Sequence, residues 1–135
     1  MINRRKKSAT GSVRSKKQVI DGIEFASSLE AYTYRKLKES GLEFGYETRT
    51  FELLPSFRFP HTYYASTPKK KELVNKTDKV VRSITYTPDF VGDKWVIETK
   101  GFVPSNHSFP LRWKLFLTES MKEGLSVFIL SLIHI

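Results

Sequence analysis

Residues 86–101, YTPDFVGDKWVIETKG, read as a hairpin that carries charged side chains on strands otherwise rich in apolar residues. Gly92 and Asp93 are typical of a tight turn between two strands. The residues on either side predict one strand from Val80 to Val91 and another from Lys94 to Lys100. An aspartate, a glutamate and a lysine therefore occupy positions where a half-buried sheet would favour valine.

Strand alternation brings these charges together. Successive side chains point to opposite faces, so Glu98 and Lys100 share a face with Val96. A two-residue turn pairs Asp89 with Val96, and paired residues point to the same face, so Asp89 lies diagonally from Glu98. The spacing predicts that two carboxylates and one ammonium converge on one face of the sheet.

Such a cluster has a chemical interpretation and an ordinary one. Two nearby carboxylates repel each other and lose solvation on burial, and a divalent cation relieves both penalties. Mg²⁺ takes one or two carboxylates and leaves its other positions to water and phosphate oxygens. Lys100 would then act on an attacking water or offset charge in the transition state. The alternative is a surface hairpin with a salt bridge worth about 0–1 kcal/mol.

The formal net charge of +9 is distributed unevenly. Residues 1–17 hold seven Lys or Arg and no acid, and residues 69–82 hold six basic and two acidic side chains. Basic segments of this kind suit a polyanion such as DNA, because each phosphate contact releases counterions. A solvated tail and a soluble loop are the alternatives. We predict a disordered basic tail over 1–17 and a single domain over 18–135.

Twelve basic side chains are candidate DNA contacts on these grounds. They are Arg4, Arg5, Lys6, Lys7, Arg14, Lys16 and Lys17 of the tail, Lys69, Lys70 and Lys71 of a loop, and Arg112 and Lys114 of a helix. For the two helical residues, a merely solvated helix face is an equal alternative.

Composition excludes several classes of protein. The chain has no cysteine, so a disulfide framework, a thiol nucleophile and a thiolate metal site are excluded. No apolar run approaches the ~18 residues of a membrane span, and the N-terminus lacks the apolar stretch of a secretory signal. We expect an intracellular protein with no membrane partner.

The remaining patterns predict an α/β fold, a mixed sheet flanked by helices. Short strands are expected at Val19–Ile20 and Ile23–Phe25, a helix at 28–40, a strand at 44–54, a long hairpin or an insertion at 55–79, a helix at 110–123 and a closing strand at 125–133. Ser27 and Glu30 match a capping box at the start of the first helix. Spacing alone favours this capping role for Glu30.

Two blocks of the sequence resemble a known superfamily. PD followed by ETK looks like the signature of the PD-(D/E)XK nucleases, which have the restriction-endonuclease-like fold. SLEAYTYRKLKESGLEFGYE followed by ITYTPDFVGDKWVIETKG is similar to the phage endonuclease I family of Holliday junction resolvases. DGIEFASSLE and LRWKLF are also similar to uncharacterised phage proteins of this superfamily.

The resemblance implies a nuclease domain with Glu30, Asp89, Glu98 and Lys100 as its catalytic residues. Asp89, Glu98 and Glu30 would ligate Mg²⁺, for which Mn²⁺ should substitute, helped by the backbone carbonyl of Thr99. Lys100 would act on the water that attacks a DNA phosphodiester. Glu30 then belongs to the site, and it can cap its helix as well.

The implied function is a metal-dependent endodeoxyribonuclease that acts on branched DNA in the host cytoplasm, during phage infection or prophage carriage. The alternatives are a nicking or restriction-like duplex nuclease and a non-catalytic nucleic-acid-binding protein that keeps the fold. A homodimer is also implied, because the resolvase segment corresponding to 55–79 bridges two subunits. That segment is longer in this chain than the resemblance leads us to expect.

Overall fold

The computed structural model describes residues 17–67, 69–101 and 108–131, and the elements below belong to this part of the chain. In order they are β1 Gln18–Ile20, β2 Ile23–Phe25, α1 Ser28–Glu39, β3 Gly45–Tyr46, β4 Phe51–Leu54, β5 Phe57–Thr67, β6 Lys70–Val81, β7 Ile84–Tyr86, β8 Phe90–Val91, β9 Trp95–Thr99, α2 Ser108–Glu123 and β10 Ser126–Leu130. Of the predicted tail only Lys17 is described, and its Nζ lies 2.9 Å from Oε1 of Glu24.

A four-stranded mixed sheet in the order β10-β9-β8-β3 forms the centre of the fold. Strand β10 runs parallel to β9, whereas β9 pairs antiparallel with β8. The two faces of β9 are buried by different helices. Ile97 packs with α1 residues such as Tyr34, and Val96 packs with Phe116 of α2. The predicted mixed sheet flanked by helices is therefore confirmed.

Residues 45–91 form one long antiparallel hairpin, interrupted twice. Its ladder runs from Gly45↔Val91 at the base, through the β4–β7 pair, to Thr67↔Lys70 near the tip. Of the two alternatives for 55–79, a long hairpin or an insertion, the structure has the long hairpin. The continuous strands predicted over 44–54 and 80–91 are wrong, because each is broken into shorter strands.

The interruption nearest the base has a local cause. Glu47 adopts a positive φ of 51°, which ends β3. Pro88, on the facing segment, has no N–H to donate to a ladder. The N–H of Glu47 still donates to the carbonyl of Asp89 at 2.8 Å, which extends the β3–β8 pairing by one residue. The ladder therefore opens at the PD dipeptide and resumes on the far side.

The turn between β8 and β9 lies one residue later than predicted. Val91 pairs with Val96 and not with Lys94. The Gly92 N–H donates to the Trp95 carbonyl at 2.9 Å, so the turn consists of residues 93 and 94. The Trp95 ring lies where a Cβ on Gly92 would be, which explains the glycine. The register differs from the predicted one by two residues, so every side chain keeps its predicted face. Extending the observed pairing by one residue places Asp89 directly opposite Glu98.

The helices begin and end close to the predicted positions. The Ser27 hydroxyl accepts a hydrogen bond from the Glu30 N–H at 3.1 Å, which caps α1. Gly41, with φ of 73°, follows the end of α1. Helix α2 begins two residues before the predicted Pro110, which the first helical turn tolerates because its N–H groups have no intrahelical partners. Neither described helix has the length and apolar content to cross a membrane.

Removing a buried ring should unfold the protein far more readily than removing an exposed one. Phe116 is fully buried between α2 and the sheet, whereas Phe128 is half exposed. We expect Phe116→Ala to lower the free energy of unfolding by about 3–5 kcal/mol because it leaves a cavity. Phe128→Ala should cost less than half as much. Urea denaturation monitored by circular dichroism measures both, and equal losses would contradict the packing of α2 described above.

Candidate active site

The charged residues of the PD and ETK segments line one polar cleft of about 430 Å³. The cleft is bounded by the β7–β8 segment, by β9 and by the first turns of α2. Its lining residues are Thr85, Tyr86, Thr87, Asp89, Glu98, Lys100, Ser108, Phe109 and Arg112. The predicted convergence of Asp89, Glu98 and Lys100 is present, and Arg112 joins them.

Glu98 is only 4% exposed, and both of its carboxylate oxygens contact polar partners. Its Oε2 accepts a hydrogen bond from the Tyr86 hydroxyl at 2.6 Å and from the Asp89 N–H at 3.3 Å. Its Oε1 lies 3.0 Å from Nζ of Lys100. A buried carboxylate needs such partners, because burial without them costs several kcal/mol.

Asp89 lies at the opening in the hairpin ladder, where its side chain reaches β9. Its Oδ2 accepts hydrogen bonds from the Thr99 N–H at 2.8 Å and from the Thr99 hydroxyl at 2.6 Å. Burial raises the pKa of Asp89 to about 7, and the negative charges of Glu98 and Glu30 add to this, against the opposing effect of the Thr99 hydrogen bonds. The metal-free site therefore favours a proton on Asp89 near neutral pH.

Lys100 is the cation closest to this pair. Besides its contact with Glu98, its Nζ lies 4.3 Å from the centre of the Phe109 ring, on the first turn of α2. The ring gives a cation–π contact and covers one side of the ammonium. Lys100 is thus fixed between β9 and α2, and its side chain is 29% exposed to the cleft.

Glu30 takes a position beside the cleft and does not line it. Its Oε2 accepts a hydrogen bond from the Tyr46 hydroxyl at 2.5 Å and from the Ala26 N–H at 3.2 Å. The predicted capping box is observed in part, because Ser27 accepts from the Glu30 N–H whereas the Glu30 side chain accepts from Ala26, one residue before the cap. Glu30 is close enough to raise the pKa of Asp89, and its role as a metal ligand stays a prediction.

Sequence reasoning missed two tyrosines that each bind one of these carboxylates. Tyr86 donates to Glu98 and Tyr46 donates to Glu30. Burial and the adjacent carboxylate raise the pKa of both hydroxyls, so both remain protonated donors. The signal was present in the sequence, because Tyr86 precedes the PD dipeptide and Tyr46 follows Phe44 and Gly45. Neither tyrosine was assigned a role.

The other candidate DNA contacts are spread over the molecule. Arg112 lines the cleft, whereas Lys114 is exposed on α2 and does not line it. Lys69 is exposed in the turn between β5 and β6, and Lys70 and Lys71 begin β6. Six tail residues lie outside the described part of the chain: Arg4, Arg5, Lys6, Lys7, Arg14 and Lys16.

In the cleft, the two carboxylates of Asp89 and Glu98 are the groups that could hold a metal ion. Among the described residues, no group of three or more His, Cys, Asp or Glu is arranged to hold a metal ion. Asp89 and Glu98 provide the one or two carboxylates that Mg²⁺ takes when phosphate and water complete its shell. Both Thr99 hydrogen bonds end on Oδ2 of Asp89, so Oδ1 is the oxygen that it can offer. Thr99 can offer only its carbonyl, since its N–H and hydroxyl donate to Asp89.

Fold and site together define an α/β protein with a carboxylate-rich cleft on its central sheet. The profile of a family described as "Protein of unknown function (DUF1064)" matches residues 11–132, and the chain belongs to this family. A search of curated proteins and a search of solved structures each found no match.

In metal-free buffer, Asp89→Asn should stabilise the protein increasingly as the pH rises. The folded-state pKa of Asp89 is about 7 and its ordinary value is 3.8, so between these values the folded wild type binds a proton that the unfolded chain releases. Asp89 therefore makes the free energy of unfolding of the wild type fall from pH 4 to pH 7, and it causes no further change above pH 7. We expect the free energy of unfolding of Asp89→Asn, relative to that of the wild type, to increase by about 2–3 kcal/mol between pH 5 and pH 8.

Urea unfolding in EDTA at pH 5, 6, 7 and 8 measures this difference. Asp93→Asn, at an exposed position in the β8–β9 turn, makes the same change in charge and should show no such trend. A pH-independent difference between Asp89→Asn and wild type would contradict the assigned environment of Asp89.

Proposed function

We propose that this protein is a divalent-metal-dependent endodeoxyribonuclease of the restriction-endonuclease-like class. The observation that carries the proposal is the buried Asp89–Glu98 pair, which faces Lys100 in one polar cleft. Two buried acids beside a lysine, with the pKa of Asp89 raised by burial, are costly for a fold and useful for catalysis. The order PD, E, K along the chain supports the same class through the resemblance of its motifs.

Asp89 and Glu98 are the residues that would hold Mg²⁺ or Mn²⁺, with Oδ1 of Asp89 and a carboxylate oxygen of Glu98 as donors. When bound, the cation supplies Lewis-acid activation of water and stabilises charge on the phosphate. The cation would also stabilise the ionised form of Asp89 that the empty pair disfavours. Thr99 and Tyr86 keep the two carboxylates in place.

Lys100 is the residue that would act on the attacking water. Its ammonium already shares Oε1 of Glu98, so it lies at the edge of the position where the carboxylates would hold a cation. From there it can orient the water, accept its proton when neutral, or stabilise negative charge when protonated. Phe109 limits solvent access on one side of the ammonium.

Arg112 and the start of α2 provide the phosphate-binding side of the cleft. Ser108 and Phe109 lie on the first turn of α2, which has no acidic residue. Backbone N–H groups at a helix start favour anions, and the guanidinium of Arg112 can contact a phosphate with two hydrogen bonds. A scissile phosphate would thus be bound between α2 and the two carboxylates.

Branched DNA is the substrate class that we propose, and the support for it is the resemblance of residues 28–47 and 84–101 to the phage resolvases. The site itself recognises only a phosphodiester. A four-way junction and a linear duplex of the same sequence therefore have to be compared directly.

Wild-type protein should cleave DNA with Mg²⁺ or Mn²⁺ and should lose this activity in EDTA. We expect Asp89→Asn and Lys100→Met to lower the cleavage rate by at least about 100-fold, because each removes a charge that acts in the transition state. Asp93→Asn and Lys94→Met are matched controls at exposed positions of the neighbouring turn. Labelled four-way junction, flap and linear duplex are the substrates.

Equal cleavage of linear duplex and junction would remove the branched-DNA assignment but keep the nuclease. Absence of cleavage with either metal, combined with DNA binding that both variants retain, would identify a non-catalytic DNA-binding protein and overturn the proposal.

Tyr86→Phe should weaken metal binding without preventing it. The variant keeps the buried ring and removes the hydroxyl that orients Glu98. Loss of a group that orients a metal ligand lowers metal affinity by about 10–100-fold. Calorimetric titration with Mn²⁺ measures this without DNA, and Tyr32→Phe on α1 is the control. Unchanged Mn²⁺ affinity in Tyr86→Phe would contradict a positioning role for Tyr86.

A further inference from the structure

The β5–β6 hairpin extends away from the core as a two-stranded ribbon, called the arm below (residues 57–67 and 70–81). Its pairing is antiparallel along its length, and its packing is dominated by its own two strands. Within the described residues, neither hydrophobic core includes an arm residue. Packing of the hydrophobic cores therefore does not explain the length of the arm.

Charge on the arm favours a polyanion. Residues 57–81 hold six Lys or Arg and two acids. Arg58 and Lys79 are exposed near its base, and Lys69 is exposed at its tip. Asp78 is partly neutralised by Arg58, whose Nη1 lies 3.1 Å from its Oδ2. Positive charge therefore lies at both ends of the ribbon.

In the middle of the arm, one face consists of uncharged residues. Register and alternation place three cross-strand pairs on this face: Thr62 with Thr77, Tyr64 with Asn75, and Ser66 with Leu73. Tyr64 is 65% exposed and Leu73 is 71% exposed. Hydroxyl and amide groups interleaved with exposed apolar carbons suit the edges of bases, which present donors, acceptors and thymine methyl groups.

The dimensions of the arm fit the major groove of B-form DNA. A strand of 11 residues spans about 36 Å, and one turn of B-form DNA is about 34–36 Å. The major groove of B-form DNA, about 12 Å wide, admits a two-stranded ribbon. The corresponding groove of double-stranded RNA is too narrow and deep.

We propose that the arm inserts into the major groove of duplex DNA, with its uncharged face toward the bases and its basic ends on the phosphates. The choice of DNA rests on the proposed function. Insertion itself is a property of the arm, so binding can be tested without cleavage.

The test compares two triple variants in the full chain, in EDTA so that no DNA is cut. Arg58→Gln/Lys69→Gln/Lys79→Gln removes three exposed charges from the arm. Lys36→Gln/Lys38→Gln/Lys122→Gln removes three exposed charges from the helices. Fluorescence anisotropy with a 30-base-pair duplex at several salt concentrations measures affinity. The arm variant should bind at least tenfold more weakly than the wild type. The slope of its log affinity against log salt concentration (the salt slope) should be smaller in magnitude by up to about 3. The helix variant should bind nearly as tightly as the wild type.

A second variant tests the groove. Tyr64→Ser/Asn75→Ala leaves the charge unchanged and removes contacts of the uncharged face. Wild-type protein should protect guanine N7, which lies in the major groove, from methylation by dimethyl sulfate. This variant should lose that protection while keeping the salt slope. Thermal melts of all variants check that folding is retained.

Equal weakening by the arm and helix triple variants, or an absence of N7 protection by wild type, would overturn the inference. Tighter binding of single-stranded RNA than of the duplex, lost in the arm variant, would overturn it as well. If the wild type cleaves DNA and the arm variant binds DNA normally, the inference about the arm is refuted and the nuclease proposal stands. If binding depends on the arm but no metal-dependent cleavage occurs, the nuclease proposal is refuted and the inference about the arm stands.

Discussion

Burial of two carboxylates side by side is the constraint on which the rest of the structure depends. Asp89 and Glu98 are 9% and 4% exposed, and their repulsion would destabilise the sheet without compensation. The fold provides that compensation from three directions. Thr99 stabilises Asp89 from the neighbouring strand, Tyr86 stabilises Glu98 from the hairpin, and Lys100 supplies the positive charge. Each partner comes from an element that also packs the core, so the polar cluster and the hydrophobic core stabilise each other.

The opening in the long hairpin is the backbone counterpart of this cluster. In a continuous ladder, the N–H and C=O of Asp89 would both pair with the facing strand. Here the carbonyl still does so, because it accepts from the Glu47 N–H, whereas the Asp89 N–H turns toward Glu98. A proline before Asp89 and a positive φ at Glu47 maintain the opening from both sides. Pro88 and Glu47 therefore free the N–H of Asp89 for its hydrogen bond to Glu98.

Much of this arrangement could be predicted from the sequence, because it follows from periodicity. Alternation along β9 placed Glu98 and Lys100 on one face, and the capping box placed Ser27 and Glu30 at the start of α1. The register of the β8–β9 turn could not be predicted, because it depends on how the Trp95 ring packs against Gly92. The breaks at Glu47 and Pro88 result from tertiary contacts between distant segments. The roles of Tyr46 and Tyr86 likewise depend on which carboxylate each faces in three dimensions.

Continuity of the hairpin from Gly45 to Val91 has an evolutionary consequence. The tip lies at the middle of the segment, so residues added there in pairs lengthen the ribbon and leave the base in register. A single residue added between the tip and Pro88 would turn every later side chain to the opposite face unless a bulge took it up. The arm already contains two such register shifts. Arm length can therefore change among relatives while the acidic pair stays fixed, provided that residues are added to both strands or are taken up by a bulge.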